Sequence, residues 1–254
     1  MSADPSTLVT SDGRHIAYHR LDPRGEGDEP GVVFLGGLMS DMTGTKATAL
    51  EAWARERGRA FLRFDYTGHG QSSGRFEEGC IGDWARDARD AIEGLTEGPQ
   101  VLVGSSMGGW VALLLARAMP ERIAALVGIA AAPDFTEDSM WAAMSAVQRR
   151  TLLEEGVVRL PSDYDEAGYP IARRLIEDGR DNLVLRAPLR LPFPLRLLQG
   201  TADRDVPQEV ALRLLAHAEC EDARLTLVKG ADHRMSGETE LDLLFQTLES
   251  LGTS

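Results

Sequence analysis

A serine flanked by glycines follows a short apolar run in the first half of the chain. The segment is Gly104-Ser105-Ser106-Met107-Gly108, directly after the run 101–103 and directly before an amphipathic stretch. In a strand–turn–helix context, this G-x-S-x-G pattern turns so sharply that side chains two positions either side of the serine would collide with backbone. The turn would hold the Ser106 hydroxyl above a sheet edge, with helix N-terminal amides beneath it. We therefore predict that Ser106 is a nucleophile.

A serine hydroxyl is a weak nucleophile, so a base must accept its proton. Among the five histidines, His233 has the most suitable position, because it follows the last predicted strand and precedes the final predicted helix. That is where the chain order Ser…Asp…His places the base. His69 lies in a turn after a central predicted strand and can approach the site, but we do not favour it as the base. The other three histidines are predicted to face solvent: His15, His19 and His217.

The imidazole in turn needs an acid that fixes its tautomer and stabilises the imidazolium. Asp203 falls in the turn after the predicted strand 195–198 and is the predicted acid. Asp205 is interpreted as a turn or capping residue ahead of the next helix. Two other candidates stay open. They are Asp134, after the preceding strand, and Asp232, next to the base, although neighbours in sequence usually point their side chains apart.

Two backbone amides are predicted to stabilise negative charge on the carbonyl oxygen of a substrate. One is the N–H of Met107, the residue after the nucleophile. The other is the N–H of Leu38, in the loop that Gly36 and Gly37 allow to approach the substrate closely. Because both donors are backbone groups, the side chains there should affect fit more than chemistry. The segment 65–73 is interpreted as a tight loop beside this site.

The elements that must position these residues alternate along the chain. Short β-rich runs, several of them apolar throughout, are separated by amphipathic segments, which is typical of a parallel sheet covered on both faces by helices. The predicted strands are 15–21 (at the sheet edge), 31–37, 60–65, 100–104, 123–129, 195–198 and 224–228, and the predicted helices are 45–57, 81–95, 107–119, 208–218 and 238–251. We predict an α/β fold with a mostly parallel sheet of about eight strands and right-handed crossovers, in a single domain spanning residues 1–254.

The alternation stops between residues 134 and 194. A structureless loop of that length is improbable in a compact domain, and helical patterns at 139–155 and 169–178 predict an inserted helical cap. Such a cap would cover the carboxyl edge of the sheet, where doubly wound folds bind ligands. Four apolar residues at helical spacing could line an acyl pocket, although packing of the cap on the core explains them equally well: Met140, Trp141, Met144 and Val147.

Composition excludes several classes of protein. The formal net charge of −13, with no basic run, repels nucleic acids and anionic lipid surfaces. No stretch approaches about 18 uninterrupted apolar residues, so we expect no membrane insertion, and residues 1–12 resemble neither a secretory signal nor a transit peptide. Two isolated cysteines, Cys80 and Cys220, favour reduced thiols in a cytoplasmic protein. No phosphate-binding glycine loop or metal-spaced histidine cluster is present, so we expect neither cofactor nor metal.

Several segments resemble the α/β-hydrolase superfamily, and the resemblance covers nearly the whole chain. More narrowly, they resemble the branch of mitochondrial acyl-protein (palmitoyl-protein) thioesterases that also hydrolyse acyl glucuronides. The resemblance implies triad roles for Ser106, Asp203 and His233. Gly36-Gly37 departs from the His-Gly that the superfamily often has there, and the missing targeting segment suggests a bacterial-type cytoplasmic relative. The resemblance is carried by Gly44-Thr-Lys-Ala47, Phe61-Leu-Arg-Phe-Asp-Tyr66 with Gly68, Gly98-Pro-Gln-Val-Leu-Val-Gly-Ser-Ser-Met-Gly-Gly-Trp110 and Asp232-His-Arg-Met235.

Together these features predict a serine hydrolase that cleaves a carboxylic ester or thioester of a small-molecule or acylated substrate through an acyl-enzyme on Ser106. Two alternatives remain. The first is a ligand-binding module that keeps the fold without activity, since fold alone never licenses catalysis. The second is a triad enzyme that acts on C–C bonds or uses peroxide as the acceptor. The intact order of serine, aspartate and histidine favours an enzyme over a binding module.

Overall fold

The computed structural model describes residues 4–24, 29–162 and 165–252, which contain twelve strands. In chain order the strands are β1 (Ser6–Val9), β2 (His15–Leu21), β3 (Val32–Leu35), β4 (Phe61–Phe64), β5 (Gln100–Ser105), β6 (Ile123–Ile129), β7 (Val157–Ser162), β8 (Asp165–Ala172), β9 (Leu189–Arg190), β10 (Leu195–Gly200), β11 (Ala218–Glu219) and β12 (Ala223–Val228). Eight of them form the main sheet, in the spatial order β1-β2-β4-β3-β5-β6-β10-β12. The first two strands run antiparallel to their neighbours, and all other pairs in the sheet are parallel.

Helices cover both faces of this sheet. The α-helices of the described residues are α1 (Thr45–Arg57), α2 (Ile81–Leu95), α3 (Met107–Ala118), α4 (Ala146–Glu155), α5 (Arg173–Asp181), α6 (Gln208–His217) and α7 (Glu238–Leu251). Helices α1 and α7 pack on one face, where Leu50 and Leu248 are fully buried. Helices α2 and α3 pack on the other face, where Trp84 and Trp110 are fully buried in the larger core cluster. The predicted α/β fold, with a mostly parallel sheet of eight strands, is confirmed.

One strand is not where the sequence placed it. The strand His15–Leu21 was predicted at the sheet edge, but it pairs with Ser6–Val9 on one side and with Phe61–Phe64 on the other. The edge strand is therefore β1, a four-residue strand that is mostly exposed. It was missed because Ser6–Val9 is too short to carry an alternating pattern that separates it from a loop.

The segment between β6 and β10 departs from the predicted all-helical insertion. It contains a π-helix, Thr136–Trp141, followed by α4, the antiparallel hairpin β7–β8, and α5. Residues 169–172 were predicted to be helical but belong to β8. In β7, Val157 is exposed and Val158 is buried, which is the period of two that is typical of a strand. The prediction for residues 169–172 failed because β8 pairs with β7, and this tertiary pairing overrides a weak helical pattern.

Within the described ranges, none of the helices has the length and apolar character needed to cross a bilayer.

Candidate active site

Ser106 occupies a strained turn between β5 and α3. Its backbone has φ 54° and ψ −116°, a conformation that a residue with a side chain rarely adopts. Gly104 and Gly108 make this turn possible. A Cβ atom on Gly104 would overlap the carbonyl of Gly108, and one on Gly108 would overlap the carbonyl of Leu35. The two glycines of the sequence pattern are therefore required by close contacts between backbone segments.

Ser106, His233 and Asp203 lie in one continuous chain of hydrogen bonds. The Nε2 atom of His233 is 3.1 Å from Oγ of Ser106, and its Nδ1 atom is 2.9 Å from Oδ2 of Asp203. A carboxylate can only accept, so Nδ1 carries the hydrogen and Nε2 is left to accept from the serine hydroxyl. The structure thus brings the three predicted residues together in an arrangement that can deprotonate the serine.

Neighbouring strands position Asp203 and His233. Asp203 follows β10 and His233 follows β12, and these two parallel strands are paired along their length. The Nζ atom of Lys46 donates a hydrogen bond to the carbonyl of Arg234, so α1 ties down the loop that carries the histidine. Lys46 was not predicted to have this role, although its segment, Gly44-Thr-Lys-Ala47, is one of those that carry the resemblance to the superfamily.

The carboxylate of Asp203 is fully enclosed and accepts four hydrogen bonds. Besides the bond from His233, it accepts from the backbone N–H groups of Asp205 and Val206 at 2.9 and 2.8 Å, and from Nε2 of Gln199 at 3.0 Å. Burial alone would raise the pKa of Asp203, but the bonds from these donors outweigh that effect and lower it. Asp203 therefore stays ionised and can stabilise a protonated His233. Gln199 is a further contributor that the sequence reasoning missed, because a glutamine ending a strand has no distinguishing pattern.

The two other candidate acids, Asp134 and Asp232, accept hydrogen bonds from groups other than His233. Asp134 is fully buried and accepts from the N–H groups of Val184 and Leu185 and from the guanidinium of Arg186, which anchors the segment after α5 to the core. Asp232 accepts from the two N–H groups that follow the histidine in its own turn.

Asp205 was interpreted as a turn or helix-capping residue. Its backbone N–H donates to Oδ1 of Asp203, so Asp205 lies in the turn, as interpreted. The N-cap of α6 is Pro207, two residues further along the chain.

The two predicted amide donors belong to backbone segments next to Ser106. Met107 is the first residue of α3, so its N–H has no acceptor within the helix. Leu38 lies in the turn from Gly37 to Ser40, and a Cβ atom on Gly37 would be 3.5 Å from Cβ of Ser106. The loop after β3 therefore packs next to Ser106, although a Cβ on Gly36 or Gly37 would be at ordinary contact distance from its neighbours.

The predicted acyl-pocket residues differ in their exposure. Met144 is buried in the larger core cluster, and Met140 and Trp141 are partly buried against that cluster. The ring of Trp141 has the guanidinium groups of Arg149 and Arg180 at 4.9 and 4.7 Å from its centroid. Val147 is 72% exposed and therefore faces solvent, so the expectation that it lines a pocket is wrong. For the other three, lining of an acyl pocket remains a prediction.

The other histidines are not joined to Ser106 by any hydrogen bond in the described part of the chain. His15 is exposed and His19 is partly exposed, in keeping with their strand near the sheet edge. His217 bonds the carbonyl of Ala187. His69 is buried in the loop beside the site, and its Nε2 atom contacts the backbone N–H of Met39.

One group of ligand-type atoms in the described residues is close enough to hold a metal ion. The candidate ligand atoms of Asp203, Asp205 and His233 all lie within 4.8 Å of one another. However, Oδ2 of Asp203 already bonds Nδ1 of His233, and Oδ1 of Asp203 accepts from two backbone N–H groups. A metal here would compete with the contact that orients His233, so the site fits proton transfer better than metal binding.

Fold and site geometry agree with the similarity to known proteins. The sequence profile described as the alpha/beta hydrolase family matches residues 32–245. A mitochondrial palmitoyl-protein thioesterase, ABHD10 of Bos taurus, is 36% identical over 97% of this chain and 79% of its own length. Among solved structures, alpha/beta hydrolase domain-containing protein 10 from mouse is 36% identical with a TM-score of 0.89, and a candidate hydrolase from Agrobacterium vitis S4 is 36% identical with a TM-score of 0.93. Each of these two alignments covers 98% of this chain and 98% of the chain in the solved structure.

The chain therefore belongs to the alpha/beta hydrolase family. Within that family it is a serine hydrolase, similar to the ABHD10 thioesterases. The predicted resemblance and the predicted enzyme class are confirmed.

The comparisons correct the expected location. The relatives at 36% identity are named mitochondrial, which contradicts the cytoplasmic location inferred from the sequence. That inference was wrong because it relied on two cysteines, Cys80 and Cys220, and on the character of residues 1–12. Both thiols are free in the structure, and free thiols are compatible with any reducing compartment, so cysteine usage could not separate the two locations.

Proposed function

We propose that this protein hydrolyses acyl esters and thioesters by an acyl-enzyme mechanism, with Ser106 as nucleophile, His233 as general base and Asp203 as the orienting acid. The observation that carries the proposal is the unbroken contact from Asp203 through the imidazole to the serine hydroxyl. In this arrangement the serine hydroxyl can attack, the imidazole can take its proton, and the carboxylate can stabilise the imidazolium.

In the first half of the reaction, Oγ of Ser106 attacks the carbonyl carbon of the substrate while Nε2 of His233 takes the hydroxyl proton. The new C–O bond places the negative charge on the carbonyl oxygen. When the tetrahedral intermediate collapses, the bond to the leaving group breaks, and the imidazolium returns its proton to the departing alcohol or thiol. The acyl group then remains on the serine as an ester.

In the second half, water replaces the leaving group. Nε2 of His233 takes a proton from a water molecule as its oxygen attacks the acyl-enzyme, and that proton passes to Oγ of Ser106 when the bond to the acyl group breaks. The products are a carboxylic acid and the free enzyme. Asp203 stays ionised throughout and stabilises the imidazolium in both halves, in keeping with its lowered pKa.

The N–H groups of Met107 and Leu38 form the oxyanion hole in this proposal. The support is positional: Met107 opens α3 directly after the nucleophile, and the turn that carries Leu38 packs close to Ser106. Loss of one such donor typically costs about 3–4 kcal/mol of transition-state stabilisation. Both are backbone donors, so the hole depends on the conformation of two turns rather than on side-chain identity.

The substrate is an acyl group on a protein or small molecule, with a thioester as the favoured linkage. The relatives with 36% identity are named palmitoyl-protein thioesterases, which supports this choice for the present chain. Residues 134–194 act as the cap of a single domain that spans residues 1–254. In this proposal Met140, Trp141 and Met144 of that cap contact the acyl chain, because burial of an acyl chain against apolar side chains stabilises its binding.

A turnover series tests the proposal. Matched acyl esters and acyl thioesters with chains from two to sixteen carbons are assayed with the wild-type protein and with Ser106→Ala. We expect measurable turnover of at least part of the thioester series, with higher kcat/KM for the longer chains, and a loss of about 10⁶-fold in the variant. Turnover by Ser106→Ala above about a hundredth of the wild-type rate would exclude the serine as nucleophile.

Labelling with a fluorophosphonate probe separates the enzyme from a non-catalytic binding module. The oxygen of an activated serine attacks the phosphorus atom and displaces fluoride, which leaves the serine covalently modified, whereas an ordinary hydroxyl does not react. We expect a single adduct, on the peptide that contains Ser106, and no adduct in Asp203→Asn under the same conditions. A protein that binds acyl compounds but takes up no probe would be a binding module.

A further inference from the structure

His69 lies in the loop that follows β4, enclosed by aromatic rings. It is 5% exposed, and the rings of Tyr66, Phe76 and Trp84 surround it edge-on with centroids 5.7, 5.4 and 5.1 Å away. The cage fixes the plane of the imidazole, so its two nitrogens point in set directions. A polar ring this deeply enclosed needs a partner for each nitrogen.

Each nitrogen of His69 has a backbone partner. The Nδ1 atom is 3.3 Å from the carbonyl oxygen of Thr67, which also accepts from Nε1 of Trp84 at 3.0 Å. The Nε2 atom is 3.3 Å from the backbone N of Met39. A carbonyl can only accept and an N–H can only donate, so Nδ1 carries the hydrogen and Nε2 is an acceptor. The ring must therefore be neutral, with one defined tautomer.

The partner of Nε2 lies in the turn next to the nucleophile. Met39 has a positive φ of 58°, which is costly for a residue with a side chain and persists only where neighbouring contacts impose it. Within the turn, the backbone N–H and the hydroxyl of Ser40 both donate to the carbonyl of Gly37, at 3.2 and 2.6 Å. These bonds close the turn, but they do not fix it against the rest of the molecule.

Two bonds from the loop after β4 do fix it. The carboxylate of Asp65 accepts from the N–H of Met42 at 2.7 Å, on the far side of the turn. His69 accepts from Met39, the residue directly after Leu38. The loop 65–73 therefore holds the turn at two points, and the bond from His69 is the one nearer to the predicted oxyanion donor.

We propose that His69 is a positioning residue of the hydrolytic reaction, which holds the 37–40 turn so that the N–H of Leu38 points at the oxyanion. The inference rests on the proposed function, because it concerns the position of a donor of the proposed oxyanion hole. In this role His69 transfers no proton and does not contact the substrate. The segment Asp65-Tyr-Thr-Gly-His-Gly-Gln-Ser-Ser73 is then a support for the site rather than only a loop beside it.

The burial of His69 agrees with this role. Burial lowers the pKa of His69 to about 4, against a smaller opposing effect of the Thr67 carbonyl. The ring accordingly stays neutral at physiological pH, and Nε2 stays available as an acceptor. A protonated ring would place an N–H against the N–H of Met39 and would release the turn.

Two substitutions that differ in which nitrogen they replace test the proposal. In His69→Gln the terminal amide reaches the place of Nε2 and can still accept from Met39. In His69→Asn the amide reaches only the place of Nδ1, so the bond to Met39 is lost. We expect kcat to fall by roughly 10- to 100-fold in His69→Asn, below the ~10²–10³-fold effect of deleting an oxyanion donor outright. We expect KM to be unchanged, and His69→Gln to retain most of the wild-type kcat.

Equal activity of the two variants, whether both are impaired or both are intact, would overturn the proposal, since a merely structural ring would not distinguish them. Ser106→Ala is measured alongside. If that variant is active, the proposed function fails, whereas an inactive Ser106→Ala with a fully active His69→Asn overturns only the role of His69. Should the variants not fold, ¹⁵N NMR of the wild-type imidazole decides. A bare Nε2 with protonated Nδ1 supports the proposal, and the opposite tautomer contradicts it.

Discussion

The Nδ1 atom of His233 lies 2.9 Å from Oδ2 of Asp203, although thirty residues separate the two in the chain. The contact exists because β10 and β12 are parallel neighbours, so the turns that follow them meet at the same edge of the sheet. Ser106 reaches the same edge from β5, two strands away from β10 in the sheet. The arrangement of the site is therefore a consequence of strand order.

Replacement of the acid should separate its role from that of its neighbours. We expect Asp203→Asn to lower turnover about 10⁴-fold, because an amide in place of the carboxylate favours the wrong tautomer of the base. Asp232→Asn is the matched control, since its carboxylate accepts from two N–H groups of its own turn and forms no hydrogen bond with His233 among the described residues. It should leave turnover within about threefold of the wild type. Steady-state kinetics on one thioester checks both variants, and a reversed order of effects would move the acid to Asp232.

The glycine two positions after the nucleophile should tolerate no side chain. A Cβ atom on Gly108 would overlap the carbonyl of Leu35, and both are backbone-bound, so neither can move alone. We expect Gly108→Ala to lower the free energy of unfolding by roughly 3 kcal/mol or more, as overpacked core sites do. Gly44→Ala, where the nearest atom to a Cβ is 3.5 Å away, is the control and should change it by about 1 kcal/mol at most. Urea denaturation measures both, and equal effects would contradict the close approach of β3 to α3.

The buried carboxylate of Asp134 should matter for stability rather than for chemistry. It accepts from the N–H groups of Val184 and Leu185 and pairs with Arg186, far along the chain from its own turn. Removing the charge leaves those donors under-satisfied, so Asp134→Asn should lower the free energy of unfolding by roughly 1–3 kcal/mol. Its kcat at 25 °C should stay close to that of the wild type. A large loss of kcat in a variant of wild-type stability would instead favour Asp134 as the acid.

Stability should fall in mild acid because of His69. Burial lowers the pKa of His69 in the folded protein to about 4, whereas an unfolded histidine titrates near 6.5. Below that value the unfolded chain takes up a proton that the folded chain refuses, so this stabilisation is complete above about pH 6.5 and is lost as the pH falls toward 4. The loss should reach roughly 3 kcal/mol between those pH values.

The control for this effect is His69→Phe, which keeps a ring in the aromatic cage formed by Tyr66, Phe76 and Trp84 but cannot titrate. Urea denaturation from pH 7 to pH 4 should show a clearly smaller fall in the free energy of unfolding for the variant. Parallel pH dependence of the two proteins would mean that His69 takes up its proton normally in the folded state.

Much of this fold was predictable because its signals are local. Helices α1, α2 and α7 begin and end at the predicted residues, and the parallel strands are apolar runs that helices cover on both faces. The edge strand β1 and the hairpin β7–β8 were not predicted, because short strands take their structure from pairing partners that sequence periodicity does not reveal.

The candidate site, like the fold, was predictable only in part. Ser106 could be identified from its flanking glycines, and His233 and Asp203 from their places after predicted strands. The residues that hold these three side chains in place could not be predicted. Lys46 acts through a contact with the distant loop after β12, which leaves no spacing in the sequence. Gln199 lies only four residues before Asp203, but a glutamine in an apolar strand carries no motif that indicates its contact with the carboxylate.

The central claim is that Ser106 is the nucleophile, and the turnover of one acyl thioester by Ser106→Ala tests it most directly. Ser105→Ala, which alters the adjacent serine at the end of β5, is the matched control. We expect kcat to fall about 10⁶-fold in Ser106→Ala, as for other serine triads, while Ser105→Ala retains kcat within about tenfold. Retention of more than about a hundredth of the wild-type kcat by a folded Ser106→Ala protein would contradict the account.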